Sequence, residues 1–187
     1  MRKKAQVRGM ALLSGLRFVE KRKGKEGLRK VLERLDKETQ KIFSNIVIKE
    51  WYPYETAVKF QKALVEVIGK GKEEILIEEG KFIAKDNTKW FLRLFLRFAT
   101  PQKIIKKWPV VWDLYYNKGK LKITTLKENS AVIRLLDFPE LKHTTCNSVI
   151  GWGFYSLEKT GAHNIEVKET KCREKGDNYS EWHIKWE

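Results

Sequence analysis

The run Glu169-Thr-Lys-Cys172-Arg-Glu-Lys-Gly176-Asp177-Asn-Tyr-Ser180-Glu-Trp182 lies near the end of this 187-residue chain, between two segments that alternate apolar and polar residues. Successive side chains of a β-strand point to opposite faces, so Glu169 shares a face with the apolar residues before it. The residues on this apolar side are Ile165, Val167 and Glu169 in the first segment and Ser180, Trp182, Ile184 and Trp186 in the second. Gly176-Asp177-Asn178 supplies turn residues that tolerate positive φ. The run therefore predicts a β-hairpin with one buried face.

An amphipathic helix is predicted before this hairpin. Apolar residues recur there at the i, i+3, i+4, i+7 spacing that places them on one stripe. The stripe consists of Cys146, Val149, Ile150, Gly153, Phe154 and Leu157. If the helix packs on the hairpin, Cys146, Glu169, Cys172 and Ser180 lie near one another. The sequence thus predicts a site without naming its ligand.

The pattern Glu169-x-x-Cys172-x-x-x-Gly176-Asp177-x-x-Ser180-x-Trp182 closely resembles the signature of 4-vinyl-reductase-type domains, which are relatives of the heme-NO-binding and TRAPP-subunit folds. The whole chain resembles an uncharacterised bacterial family expanded as paralogues in myxobacteria. The other segments that carry the resemblance are Val7-Arg8-Gly9, Trp51-Tyr52-Pro53, Leu94-Phe95-Leu96-Arg97, Tyr115-Tyr116, Asp137-Phe138-Pro139 and Ser148-Val149-Ile150-Gly151-Trp152. The resemblance implies an α+β fold that holds an apolar small molecule or acyl chain between helices and sheet. It also implies frequent dimerisation, so a homodimer is left open.

The resemblance raises the question of zinc. In the zinc-containing members of the superfamily, which sense aromatic compounds for transcriptional activators, the ligands are a Cys on the helix, a Glu-x-x-Cys and a further Cys. Cys146, Glu169 and Cys172 match the first three positions, but Ser180 stands at the fourth. Because a structural zinc site normally uses four ligands, we expect a degenerate metal site that has lost tight zinc binding. Zinc held by the three matched residues is the alternative, and His143 is either a substitute ligand or a partly exposed residue near the helix start.

We expect no heme and no other cofactor. The heme-NO-binding relatives rely on a proximal His together with a Tyr-x-Ser-x-Arg motif, a combination that this chain lacks. Its histidines are His143, His163 and His183, and it contains no nucleophile elbow, P-loop or dinucleotide fingerprint. The sequence therefore predicts a protein that is not an enzyme.

The fold class predicted from periodicity is α+β, in one domain over residues 1–187. Helical spacing dominates residues 10–117 and strand alternation dominates residues 118–187. The predicted helices cover residues 10–22, 25–36, 53–68, 72–85, 90–98, 101–117 with a kink at Pro109, and 141–160. The segment 46–52 is ambiguous between a strand and a connector. The C-terminal order is strand, strand, helix, strand, strand, so N-terminal helices are expected to pack on a roughly four-stranded antiparallel sheet.

Aromatic residues are plentiful enough to line a ligand pocket. The candidates are Trp90, Phe91, Phe95, Trp108, Trp112, Tyr115, Trp152 and Phe154. We therefore predict a non-enzymatic module that binds or senses an apolar ligand and, having no attached output domain, signals through a partner protein. The alternative is a protein-interaction scaffold with a filled core and a basic docking surface.

Composition limits the partners and the compartment. The formal net charge of +15 keeps binding of a nucleic acid or another polyanion as a second alternative. The lysines alternate with glutamates, as on a solvated helical face, and no helix-turn-helix, zinc-finger, RNP or KH pattern is present, so we do not expect nucleic-acid binding. No window approaches the roughly 20 apolar residues that span a bilayer. Two cysteines do not make a secreted disulfide framework, and the expected compartment is the cytoplasm.

Overall fold

The computed structural model describes residues 4–88 and 98–187. The predicted central helix over residues 90–98 falls outside these ranges except for Phe98, whose side chain is exposed.

Helices make up most of the described chain before residue 117. They are α1 (Gly9–Leu32), α2 (Lys37–Ser44), α3 (Tyr54–Val67), α4 (Glu74–Asn87), α5 (Pro101–Ile105) and α6 (Trp108–Tyr115). The first two predicted helices form the single element α1, with a kink at Gly24, where φ is +68°. Helix α2 was not predicted. It begins after Asp36, whose carboxylate accepts a hydrogen bond from the Thr39 backbone N–H at 2.9 Å.

The predicted kink at Pro109 is wrong, because the chain breaks into two helices before that residue. Helix α5 begins at Pro101, after Thr100 caps it, and ends at Ile105. Helix α6 then begins at Trp108, with Pro109 in its first turn. A proline there breaks no helical hydrogen bond, since the first N–H groups of a helix have no partner within it.

The strands form two antiparallel sheets. The smaller sheet pairs β1 (Gln6–Arg8) with β2 (Trp51–Pro53), which resolves the ambiguous segment 46–52 as a connector that ends in a short strand. The larger sheet contains β3 (Lys120–Leu126), β4 (Ser130–Leu136), β5 (Glu166–Lys171) and β6 (Ser180–Lys185), in the order β3-β4-β6-β5. Helix α7 (His143–Glu158) lies between β4 and β5 in the chain. The predicted α+β class and strand-strand-helix-strand-strand order are confirmed.

The predicted parity of β6 is also confirmed. The side chains of Ser180, Trp182, Ile184 and Trp186 are buried, whereas those of His183 and Lys185 are exposed. Glu181 is the exception on the outer face, because it is buried in an ion pair with Arg134. Two apolar clusters make up the core. One joins the larger sheet to α5, α6 and α7, the other lies among α1 to α4, and Tyr116 packs against both.

Helices α4 and α7 cross at very close range through two glycines. A Cβ atom added to Gly80 would lie 1.8 Å from the Ser148 carbonyl oxygen, and one added to Gly151 would lie 2.0 Å from the Ile77 carbonyl oxygen. Helix α7 is therefore most deeply buried on the face that meets α4. Of its predicted apolar stripe, only Cys146 and Leu157 are fully buried, and the other four residues are half-buried. Within residues 4–88 and 98–187, no helix has the length and apolar character needed to cross a membrane.

Candidate functional site

An apolar cavity of about 90 Å³ lies between α6, α7 and the inner face of the larger sheet. Its lining is almost entirely carbon, apart from a few polar atoms. The lining residues that were not predicted are Ala11, Gly80, Ile83, Val111, Tyr116, Leu121, Ile133, Ser148, Val149, Ile150, Gly153, Leu157, Val167, Trp182 and Ile184. Such a wall suits an apolar ligand, because it offers dispersion contacts and few hydrogen bonds.

Five of the eight predicted pocket residues line this cavity: Trp108, Trp112, Tyr115, Trp152 and Phe154. The other three, Trp90, Phe91 and Phe95, lie outside the described residues. The part that all eight play in ligand binding stays a prediction.

The two tryptophans of α6 are held in place at their polar edges. The indole N–H of Trp108 donates to Ser156 Oγ at 3.1 Å, and that of Trp112 donates to the Lys118 carbonyl oxygen at 2.8 Å. Trp112 also stacks on Tyr116, with ring centroids 4.4 Å apart. Because their N–H groups are already bonded, both rings can turn carbon surfaces toward the cavity.

A second cavity, of about 20 Å³, lies beside the first. The two share the lining residues Ala11, Ile83, Tyr116 and Ser148. The smaller cavity is polar on one side, where Glu79 of α4 and Gln61 of α3 line it. Neither residue was predicted from the sequence to belong to a site.

Glu79 is a buried carboxyl group, with 3% of the residue exposed. Burial raises its pKa to about 7, against the opposing effect of hydrogen bonds from Ser148 and Gln61. Its Oε2 atom has no hydrogen-bond partner in the part of the chain that the structure describes. Buried polar atoms are normally hydrogen-bonded, so an unpaired carboxyl oxygen beside a cavity calls for an explanation.

A chain of hydrogen bonds orients Gln61. The Tyr54 hydroxyl donates to Thr145 Oγ1 at 2.7 Å, and the Thr145 hydroxyl donates to Gln61 Oε1 at 3.0 Å. The Lys142 backbone N–H donates in turn to the Tyr54 hydroxyl oxygen at 3.0 Å. Because the Gln61 carbonyl already accepts a hydrogen bond, its amide N–H groups are left to donate to Glu79.

The four residues of the predicted degenerate metal site come together where α7 begins against β5 and β6. Cys146 Sγ lies 4.0 Å from Ser180 Oγ, which also accepts a hydrogen bond from the Arg173 backbone N–H at 3.0 Å. Glu169 and Cys172 approach this pair from the end of β5. The metal-binding role of these residues stays a prediction.

His143 joins the same cluster. Its Nδ1 atom lies 3.1 Å from Glu169 Oε2 and 3.8 Å from Cys172 Sγ. His143, Glu169 and Cys172 each offer one ligand atom. These three atoms lie within 4.8 Å of one another. His143 is half-buried at the first residue of α7, as one of its two interpretations expected, and it also lies among the candidate ligands. Its role as a substitute ligand stays a prediction.

Both thiols are in settings that favour the protonated form. Burial raises the pKa of the Cys146 thiol well above its usual value, and the nearby charge of Glu169 adds to the effect. Burial also raises the pKa of Cys172. Since a thiol must lose its proton to bind zinc, these shifts weaken the cluster as a metal site.

Comparison with known proteins gives a match in structure only. No protein-family model and no curated protein matches the sequence. Among solved structures, the chain is similar to an Fe(II) unliganded H-NOX protein from K. algicida, with a TM-score of 0.73 and 13% identity over 96% of both chains. It is also similar to an S. oneidensis H-NOX protein in the Fe(II)NO state, with a TM-score of 0.74 and 12% identity over 96% of this chain and 99% of that one. A third structure, from work on heme distortion in the H-NOX family, has a TM-score of 0.71 and 17% identity over 96% and 95% of the two chains.

These matches correct one prediction. We expected no heme, because the chain lacks the histidine and Tyr-x-Ser-x-Arg combination of the heme-NO-binding relatives. That expectation is contradicted, since the matching structures are H-NOX proteins described with Fe(II) or heme. The absence of that motif therefore does not exclude heme.

The comparisons support only part of the predicted resemblance. They agree with the heme-NO-binding relatives and lend no support to the 4-vinyl-reductase, myxobacterial or zinc-site assignments. At 12–17% identity the likeness concerns the fold. It extends over nearly the whole chain, which therefore has the fold of the H-NOX domains.

Proposed function

We propose that this chain is a non-enzymatic sensing module that binds a small apolar molecule in the cavity between α6, α7 and the larger sheet. The observation that supports the proposal most directly is the apolar, aromatic-lined cavity itself. An open cavity favours the sensing module over the scaffold with a filled core, because a filled core leaves no room for a ligand.

The size of the cavity limits the ligand. Its volume of about 90 Å³ is smaller than the apolar cavity of about 150 Å³ that takes up benzene in an engineered protein. The ligand is therefore either a molecule of a few heavy atoms or a larger one that spreads the aromatic walls apart.

Heme is the second candidate ligand, favoured by the H-NOX structures that the chain matches. When bound, heme would supply an iron atom able to bind a small gas molecule. Within the described residues, no histidine, cysteine or methionine lines the cavity, but the phenols of Tyr115 and Tyr116 do. Tyrosine binds heme iron as the phenolate. Burial raises the pKa of both phenols, which disfavours that form in this cavity. A porphyrin would also require the cavity to widen.

Two neighbouring valines of α6 offer a matched test of the proposal. Val111 lines the cavity, whereas Val110 is 63% exposed. A phenylalanine at position 111 would fill the space, while the same change at position 110 would leave it open.

The experiment measures binding of 1-chlorobutane, a small unbranched apolar probe that suits the cavity volume better than an aromatic ring does, by the change in tryptophan fluorescence. We expect the wild type and Val110→Phe to bind 1-chlorobutane with the same affinity, and Val111→Phe to bind it about tenfold or more weakly, which is the effect of losing about 1.4 kcal/mol or more. Binding of 1-chlorobutane that is absent from the wild type, or unaffected by Val111→Phe, would overturn the proposal.

A further inference from the structure

The two cavities are adjacent and share part of their lining. Ser148 and Tyr116 line both of them. The larger one is apolar, and the smaller one contains the Glu79 carboxyl group. Its volume of about 20 Å³ is close to the minimum of about 10–15 Å³ that holds one water molecule or a group of that size. Together they have the shape and polarity of a site for a molecule with an apolar body and one small polar head.

Glu79 has no cationic partner among the residues that the structure describes. None of the described Lys, Arg or His side chains lies within ion-pair distance of it. A buried carboxylate without a counter-charge is strongly disfavoured, so such a group is normally paired with a cation or stays protonated until one arrives. Its neighbour Glu78, by contrast, is exposed and pairs with Arg22.

The surroundings of Glu79 are arranged to hold its carboxyl group still. Gln61 and Ser148 both hydrogen-bond to it, and Thr145 keeps the Gln61 amide in the donating orientation. The remaining oxygen, Oε2, is unpartnered within the described chain. A group that donates a hydrogen bond and carries positive charge would satisfy this oxygen and neutralise the carboxylate together.

We propose that the two cavities form one binding site for a small apolar primary amine, whose ammonium head donates to Glu79 Oε2 and whose hydrocarbon body fills the aromatic cavity. This inference rests on the proposed function, of which it names the ligand class. The Tyr116 ring, which lines both cavities, adds an aromatic face that attracts a cation.

The pH dependence of binding follows from the same geometry. The titratable groups that line the smaller cavity are Glu79 and the Tyr116 phenol, whose pKa burial raises well above its usual value. Glu79 is therefore the group that changes charge near neutral pH, where its pKa is about 7. Amine binding requires the carboxylate, so the affinity rises as the pH rises through this value.

The test uses three probes of equal chain length: n-butylamine, 1-butanol and 1-chlorobutane. Their binding is measured by calorimetry on the wild type, on Glu79→Gln and on the matched control Glu78→Gln. We expect the wild type and Glu78→Gln to prefer the amine over 1-chlorobutane by about tenfold or more, the usual effect of one hydrogen bond to a charged group. Glu79→Gln is expected to lose this preference and to bind 1-chlorobutane as the wild type does.

The outcomes separate the inference from the proposed function. Uptake of 1-chlorobutane without any preference for the amine, or an equal preference for 1-butanol, would overturn the ammonium site and leave the apolar cavity intact. Uptake of no probe would overturn the proposed function and this inference with it. If Glu79→Gln does not fold, the wild type decides the matter: its affinity for the amine must rise between about pH 6 and about pH 8 while that for 1-chlorobutane stays constant.

Discussion

Gly80 of α4 lies directly against the Ser148 carbonyl oxygen of α7, with room for no side chain between them. A Cβ atom at Gly80 would lie 1.8 Å from that oxygen, and the obstacle is backbone, which has no rotamer to change. Because the Gly80 backbone and Ser148 also line the apolar cavity, this contact helps to set its shape.

The first prediction follows from this contact. Gly80→Ala forces α4 and α7 apart, so we expect it to lower the free energy of unfolding by about 2–4 kcal/mol, at or above the usual cost of overpacking. Gly153→Ala in α7 is the control, since its added Cβ would come no closer than 3.3 Å to the Trp108 ring. Urea unfolding of both variants checks the expectation. Equal free energies of unfolding for Gly80→Ala and Gly153→Ala would show that α4 and α7 are not in direct backbone contact at Gly80.

The second prediction concerns Glu79 and pH. Burial raises its pKa to about 7 from an ordinary value of 4.5. Between these values the folded protein binds more protons than the unfolded chain, so the contribution of Glu79 to stability falls as the pH rises. At 1.36 kcal/mol per pKa unit the loss is about 3 kcal/mol once the pH exceeds about 7.

The measurement compares the free energies of unfolding of the wild type and Glu79→Gln at about pH 5 and about pH 8, on either side of the raised pKa. We expect Glu79→Gln to gain stability relative to the wild type at the higher pH. If the two proteins differed in free energy of unfolding by the same amount at both pH values, Glu79 would not be a buried carboxyl group without a counter-charge.

The third prediction concerns the cysteine cluster. Ser180→Cys places a third thiol 4.0 Å from Cys146, at the position of the present hydroxyl. We expect this variant to bind zinc about tenfold or more tightly than the wild type, because thiolates contribute most to zinc affinity. Competition with a chromogenic chelator gives both affinities.

A control variant completes this test. His183 lies on the exposed face of β6, opposite Ser180, so His183→Cys adds a thiol outside the cluster. Zinc affinity that rises as much in His183→Cys as in Ser180→Cys would show that the cluster is not the site of binding.

The fourth prediction tests heme as a ligand. If heme occupies the cavity, Tyr115 or Tyr116 would hold its iron through the phenol oxygen, since no other described lining residue offers a heme ligand. We expect one of Tyr115→Phe and Tyr116→Phe to shift the Soret band of the hemin-titrated protein and to weaken hemin binding by about tenfold or more. His143→Ala, outside the cavity, is the control. A spectrum that changes only in His143→Ala would place the heme elsewhere.

Local periodicity in the sequence determined the sheet and much of the candidate site. The alternation of Ser180, Trp182 and Ile184 correctly predicted which face of β6 is buried, because a strand repeats every two residues wherever it packs. The stripe on α7 likewise placed Cys146 against the hairpin, near Ser180. Five aromatic residues of the cavity could be predicted for the same reason, since they follow a helical stripe or lie beside one.

The tertiary structure alone decided the features that depend on contacts between segments far apart in the chain. Glu79 stands in a stretch of α4 rich in Lys and Glu, which is typical of a solvated face, and it is buried because α1, α3 and α7 pack around it. The glycines at 80 and 151 have no local signature of a helix crossing, and the pairing of β1 with β2 joins segments more than 40 residues apart. Such contacts are selected by the packing of the whole core, which no short window of sequence contains.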